Sequence, residues 1–344
     1  MLLALETSCD ETSAAVISQG VILANVISSQ TQLHAEYGGV VPELATREHL
    51  RNLPPVVKGA LAKANVKSEM LKAVAATQGP GLPNALMAGF KTGQALAFAL
   101  DVRFIGVHHH EAHLYSPWIS GSPPRARFEE FVPNVSLIVS GGHTMLVHVR
   151  GELEHVILGS TLDDAAGECF DKTAKLIGLP YPGGPEMDRL ATDGDPNAYD
   201  FPRPLLRETS DDFSFAGLKT SVRYFLQRNP AVLENQQSFR DLCASVQAAI
   251  VEVLVTKTLR ATRRVGVRCV TASGGVTCNR RLRGDLQAAC EREGFQLRLA
   301  QPALCTDNAA MIGILAERKL LHGNDATDLD SDALPNWQLG VTAA

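Results

Sequence analysis

The feature that most narrows what this chain can fold into is a duplication inside it. Residues 2–28, LLALETSCDETSAAVISQGVILANVIS, read as three short strands joined by a polar turn at Ser8 to Glu11 and a tight turn at Gln19-Gly20. Residues 135–160, VSLIVSGGHTMLVHVRGELEHVILGS, repeat the plan, with turns at Gly141-Gly142 and Arg150-Gly151. The correspondence continues downstream. A strand at 73–77, the turn Gln78-Gly79-Pro80-Gly81, a helix over 83–99 and a strand at 103–107 match a strand at 267–272, the turn Ser273-Gly274-Gly275, a helix over 279–293 and a strand at 296–300. Each half is a three-strand meander followed by β-α-β units, so the chain is α/β with two similar lobes. The expected boundaries are a first lobe at 1–116, completed by a C-terminal helix at 308–322, and a Pro/Gly-bearing connection at 117–133. A second lobe follows at 134–307, then a polar, loosely ordered tail at 323–344.

Composition agrees with two sizeable cores: 344 residues, 45% hydrophobic and 20% charged. Seven cysteines, an odd number scattered without a Cys-x-x-Cys pair, argue against a disulfide framework or zinc ribbon and fit a reducing cytoplasm. No basic, apolar signal opens the sequence, and the longest apolar helix candidate, near 83–100, is broken by Lys91 and several glycines. The expectation is a soluble, cytoplasmic protein. A net charge of −5 offers no overall attraction to nucleic acid. Arg263, Arg264, Arg268, Arg280, Arg281 and Arg283 form a local basic region, which reads more readily as a solvated surface.

The chemistry concentrates in Val107-His108-His109-His110-Glu111-Ala112-His113. On a helix, His109 and His113 lie four residues apart on one face, where two imidazoles can chelate a transition metal. A third ligand is expected from elsewhere, best from Cys305-Thr306-Asp307-Asn308, and a metal held between distant segments implies a cleft. The spacing excludes a zincin, whose glutamate directly follows the first histidine. Here Glu111 is two residues after His109, about 200° round the helix. The alternative is a histidine cluster that caps a helix end or pairs with local carboxylates, with Asp307 an N-cap to the helix at 308–319.

Two α/β lobes with facing glycine turns resemble the actin, Hsp70 and sugar-kinase group, an RNase H-like fold in which backbone N–H groups cradle a nucleotide's phosphates. Singly, Gly141-Gly142 or Gly274-Gly275 is equally a hairpin or strand-to-helix turn. Four turns at equivalent places in two repeats favour the cradle.

A closer resemblance covers nearly the whole chain. Its carriers are Glu6-Thr7-Ser8-Cys9-Asp10-Glu11-Thr12, Gly38-Gly39-Val40-Val41-Pro42-Glu43, His109-His110-Glu111-Ala112-His113, Ser140-Gly141-Gly142-His143-Thr144, and the run from Asp164 to Lys175. Tyr181-Pro182-Gly183-Gly184-Pro185, Phe213 to Thr220, Ser273-Gly274-Gly275-Val276 with Asn279, and Cys305-Thr306-Asp307-Asn308 complete it. In order and spacing these resemble the TsaD family of tRNA N6-adenosine threonylcarbamoyltransferases. The resemblance implies transfer of a threonylcarbamoyl group from threonylcarbamoyl-adenylate to N6 of adenosine 37 in tRNAs that read ANN codons, releasing AMP. It implies a divalent metal, iron(II) with zinc as the alternative, on His109, His113 and Asp307. It implies a nucleotide, the adenylate or ATP, held by Ile138, Val139, Ser140, Gly141, Gly142, Asp171, Gly184, Asp188 and Asn279. Asp10 and Glu11 are nominated as catalytic aids to proton transfer. Implied partners are tRNA, a TsaB-like paralogue, a TsaE-like P-loop ATPase and a TsaC-type enzyme that makes the adenylate.

Two segments depart from the family pattern. Pro83-Asn84-Ala85 follows Pro80-Gly81-Leu82 where x-Gly-Ala is common, with Asn84 expected to tolerate the turn, and His110-Glu111-Ala112 replaces Met-Glu-Gly. A small-molecule kinase of the same fold would need no two-histidine site. A noncatalytic scaffold would not need to keep His109, His113 and Asp307.

Overall fold

The structure, a computed structural model, describes residues 1–323 and 326–340. The strands are β1 (Leu2–Glu6), β2 (Glu11–Ser18), β3 (Val21–Ser29), β4 (Ala73–Gly79), β5 (Arg103–His108), β6 (Ile119–Ser120), β7 (Arg125–Ala126), β8 (Asn134–Val139), β9 (Thr144–Gly151), β10 (Glu154–Ser160), β11 (Cys269–Ser273) and β12 (Gln296–Leu299). The helices are α1 (Thr31–Ala35), α2 (Pro42–Ala64), α3 (Pro83–Leu100), α4 (His109–Tyr115), α5 (Ala166–Leu176), α6 (Gly183–Ala191), α7 (Ala216–Arg228), α8 (Gln236–Val265), α9 (Arg280–Glu293), α10 (Pro302–Cys305) and α11 (Ala309–Leu321). They form two compact units, Met1–Phe131 with Thr306–Ala344, and Val132–Cys305.

The first unit is built on a sheet of order β5-β4-β1-β2-β3-β7-β6. β1 pairs antiparallel with β2 and parallel with β4, which pairs parallel with β5. The central strands β1 and β4 are buried along their whole length, as strands covered on both faces must be. Alternation then sorts their side chains. Leu3 and Leu5 join Leu53 of α2 and Phe90 of α3 in one core. The opposite face, carrying Ala4 and Glu6, meets α11, where a Cβ on Gly313 would lie 3.1 Å from that of Ala4.

Two stretches differ from the sequence reading. The expected connection at 117–133 contributes β6 and β7 to the first sheet, and these two-residue strands are too short to show a periodicity. The expected loose tail is instead a strap across the first unit over its described residues 326–340. Thr327 donates its N–H to Phe104 O (2.8 Å), Leu334 N–H to Gln78 O (2.7 Å), and Gly81 N–H to Pro335 O (3.2 Å). Asn324, Asp325 and 341–344 of that stretch lie outside the described residues. Asn84 also differs from expectation: Pro83 occupies the first turn of α3, so Asn84 is helical.

The second unit has a sheet of order β10-β9-β8-β11-β12, with β8 and β11 parallel neighbours. Its core gathers Val135, Leu137 and Val139 of β8, Phe170 of α5 and a long row from Leu242 to Leu259 of α8. Among the described residues, the 30-residue α8 is the helix long and apolar enough to cross a membrane, in place of the expected 83–100, and 83% of its most apolar window is buried inside the fold. All seven cysteines are free.

Candidate metal centre and nucleotide-binding turns

The parallel strands β1, β4 and β5 of the first unit end together at one edge of the sheet, where α/β folds present functional groups. β5 runs directly into α4, and the side chain of His108 caps that helix by accepting the Glu111 N–H (3.3 Å). His109 and His113 therefore fall one turn apart. The third residue arrives at the start of α11. Asn308 is the cap of that helix, its Oδ1 accepting the Met311 N–H at 3.1 Å, which leaves the Asp307 carboxylate available. Asp307 Oδ1 lies 3.4 Å from His109 Nε2 and 3.2 Å from His113 Nε2. One donor atom from each of the three lies within 4.8 Å of the others. Ligands about 2.0–2.1 Å from a tetrahedral metal stand about 3.3 Å apart, a spacing that the two Asp307–histidine separations match.

Both imidazoles are buried, His109 at 5% and His113 at 1% exposure. Their protonation diverges. Burial pulls His109 down, but the Asp307 and Glu6 carboxylates outweigh it and hold the ring well above its ordinary value. His113 is lowered, chiefly by burial. Burial pushes Asp307 up, and the charge of His109 overrides it, leaving the carboxyl well below the usual range. Glu111 reaches away from this cluster to Lys319 Nζ at 2.6 Å, so it is no base beside a metal-bound water.

Behind His109 stands a residue absent from the sequence-derived site. Glu6, with no exposed surface, places Oε2 3.1 Å from His109 Nδ1, while Ser8 Oγ lies 3.2 Å from the same nitrogen. Thr77 Oγ1 donates to Glu6 Oε2 and the Ser8 N–H to Oε1, each at 2.5 Å. Burial raises the Glu6 carboxyl, yet the charge and hydrogen bond of His109, with the Thr77 hydroxyl, leave it lowered overall. The signal was a carboxylate closing the otherwise apolar strand LLALE.

Asp10 lies in the β1–β2 turn and Glu11 opens β2. Asp10 O accepts the Gln30 N–H (3.1 Å), and Cys9 O lies 2.9 Å from His49 Nε2. Burial, then the charges of Asp10 and Asp307, raise the Glu11 carboxyl well above its ordinary value.

The nominated nucleotide residues all lie in the second unit, near the ends of β8 and β11. Ser140-Gly141-Gly142 follows β8, and a Cβ on either glycine would meet nothing within 4 Å, so this backbone is open to approach. Gly274 follows β11 at φ +92°, where an added Cβ would lie 2.3 Å from Val139 O; only glycine lets these two turns come together. Asn279 caps α9 through the Leu282 N–H (3.0 Å). Asp171 Oδ1 accepts the Gly183 and Gly184 N–H groups (2.8 and 3.1 Å) and fixes the start of α6. Asp188 is engaged through both oxygens, by Gln247 Nε2 (2.7 Å) and Arg280 Nε (2.9 Å). The basic region is likewise mostly internal bookkeeping of charge: Arg263 pairs with Glu293, Arg264 with Asp211 and Arg281 with Asp285.

Duplicated lobes of this topology define an actin/Hsp70/sugar-kinase-like protein. Solved structures share that fold: full-length HypF in its phosphate- and nucleotide-bound form (TM-score 0.58, 14% identity, 95% of this chain and 47% of that one) and component A of the Acidaminococcus fermentans (R)-2-hydroxyglutaryl-CoA dehydratase (TM-score 0.54, 14% identity, 93% and 98%). Within this class the sequence is more specific. The family model described as TsaD, tRNA N6-adenosine threonylcarbamoyltransferase, matches residues 21–314, and the chain belongs to that family. Proteins of that name from Geotalea uraniireducens (strain Rf4) and Syntrophotalea carbinolica (strain DSM 2380 / NBRC 103641 / GraBd1) are 49% and 48% identical to it. The matches cover 100% and 98% of this chain and 98% and 97% of those relatives.

Proposed function

We propose that this chain transfers the threonylcarbamoyl group of threonylcarbamoyl-adenylate to N6 of adenosine 37 in tRNAs that read ANN codons, with AMP as the leaving group. The observation that carries the reading is the full-length match to enzymes of that activity in a chain whose His109, His113 and Asp307 converge within ligand distance. The exocyclic adenine amine is a poor nucleophile because its lone pair is delocalised into the ring. The donor is a mixed anhydride and already activated, so positioning and electrostatics supply most of what remains.

In this reading His109, His113 and Asp307 hold a divalent ion, iron(II) before zinc, whose chemistry when bound is Lewis-acid polarisation or charge neutralisation of the donor. The open turn at Ser140-Gly141-Gly142, with Ile138 and Val139 beneath it, receives the phosphate of the adenylate. Asp171 and Asp188, with Gly184 and Asn279, hold the ribose and base. Asp188 makes that contact while tied to Arg280, which keeps it oriented. Glu11 carries a proton and Asp10 accepts one as the amine is acylated. The partners are tRNA, a TsaB-like paralogue, a TsaE-like ATPase and a TsaC-type enzyme that supplies the adenylate, all in the cytoplasm.

A single-turnover assay tests this, with unmodified tRNA, preformed adenylate and the two protein partners, reading the modified nucleoside by mass. Product is expected, and its loss in His113→Ala with native-like melting ties transfer to the metal centre. Absence of product from the folded, unsubstituted protein would remove the transferase reading for this chain.

A further inference from the structure

The two histidines of the metal centre are not equally supported. His113 Nδ1 is buried with no hydrogen-bond partner among the described residues, whereas His109 Nδ1 faces the carboxylate of Glu6 at 3.1 Å. An imidazole that ligates through Nε2 must keep its proton on Nδ1, and an acceptor-only group at Nδ1 enforces that tautomer and raises the basicity of the ligating nitrogen. Ser8 Oγ, 3.2 Å from the same nitrogen, cannot enforce it, because a hydroxyl donates as readily as it accepts.

Glu6 is built for that role. Its position at the end of β1 puts it on the face that carries Ala4, beside Thr77 at the end of β4 and below the start of α4. Thr77 Oγ1 and the Ser8 N–H both donate to it, one to each oxygen, so the orientation of this carboxylate with no exposed surface is fixed from both sides. The Ser8 N–H also belongs to the turn that leads to Asp10 and Glu11. One carboxylate thereby ties that turn to the metal histidine.

We infer that Glu6 is the positioning residue of the metal centre, fixing His109 with Nδ1 protonated and Nε2 turned to the ion, and so sets the affinity of the site. The inference rests on the reading of His109, His113 and Asp307 as metal ligands. Glu6→Gln is the informative variant because it preserves shape. Whichever way the amide is placed, its NH₂ confronts a donor: the Ser8 N–H in one orientation, the His109 Nδ1–H in the other.

The experiment is titration of the full chain with Co(II) alone, followed by its visible absorption, for the unsubstituted protein, Glu6→Gln and Ser8→Ala, with melting curves as the check on folding. Glu6→Gln is expected to weaken Co(II) binding about 10- to 100-fold, the range for removing a partner of a ligating histidine, with an altered absorption spectrum. Ser8→Ala is expected to stay within about threefold of the unsubstituted protein, because Nδ1 keeps its carboxylate. Unchanged affinity and spectrum in a folded Glu6→Gln protein would overturn the inference, as would a loss in Ser8→Ala equal to that in Glu6→Gln. Failure of the unsubstituted protein to bind Co(II) would instead overturn the metal reading, and this inference with it. If Glu6→Gln does not fold, Glu6→Asp replaces it: a shorter carboxylate withdrawn from Nδ1 must still cost at least tenfold in affinity.

Discussion

Glu111 illustrates how far one residue's spacing can be trusted. Its position two after His109 excludes it from a zincin's base site by helix geometry alone, and the structure shows where it goes instead, into an ion pair with Lys319 at 2.6 Å. Both side chains are largely shielded, at 9% and 16% exposure, so removing one takes from the other an ion-pair partner that water replaces poorly. Lys319→Met is therefore expected to destabilise the protein by about 3 kcal/mol, while Lys319→Met with Glu111→Gln recovers at least half of that. Denaturant unfolding of the two variants checks it, and equal losses in both would show that the pair contributes only packing. Glu6 marks the converse limit. Nothing in the alternation of LLALE distinguishes a buried carboxylate with three donors from a polar strand end, because two of those donors, Thr77 and His109, come from residues 71 and 103 positions away.

At the scale of elements, the duplication made most of the α/β framework readable. α3, α9, β4, β5, β11 and β12 fall within about two residues of the expected bounds, the usual uncertainty of element ends. β6 and β7 were invisible because two residues carry no period. The strap at 326–340 was invisible for a different reason: its bonds are almost all from backbone groups, or from Gln78, Lys91 and Gln94 side chains to its carbonyls, so a polar sequence suffices. What the strap does demand is space at its landing site. A Cβ on Gly79 would lie 1.9 Å from Leu334 O, inside any possible contact. Gly79→Ala is expected to detach the strap while β4 stays paired, raising the rate of proteolytic cleavage within 326–340 at least tenfold. Resistance equal to that of the unsubstituted chain would show that β4 shifts to accommodate the methyl group.

At the scale of the whole molecule, the chain places the three proposed metal ligands on the first unit and the proposed nucleotide-binding turns on the second, and each unit has its own core. The three proposed ligands lie outside both cores, so removing the ion should cost binding energy without unfolding the chain. A saturating ion at 100 times its dissociation constant is expected to stabilise the protein by about 2.7 kcal/mol. In Asp307→Ala, that increment should be nearly absent while the metal-free melting stays close to the unsubstituted value. Unfolding of the metal-free protein at ordinary temperature would show instead that the ion is structural.

The sequence by itself determined the periodic and the local: strand and helix order, the repeat, the one-turn spacing of His109 and His113, and the family. These follow from apolar periodicity and from motifs that are contiguous in the chain. Tertiary structure alone decided what distant segments do to one another. It moved Thr306 and Asp307, expected at the end of the second lobe, into the first unit with the histidines. It gave the capping role to Asn308, set Glu6 behind His109 and laid the strap over β4 and β5. The physical reason is that a periodicity records which face of an element is buried, whereas a hydrogen bond between residues separated by a hundred positions or more exists only once the packing has brought them together.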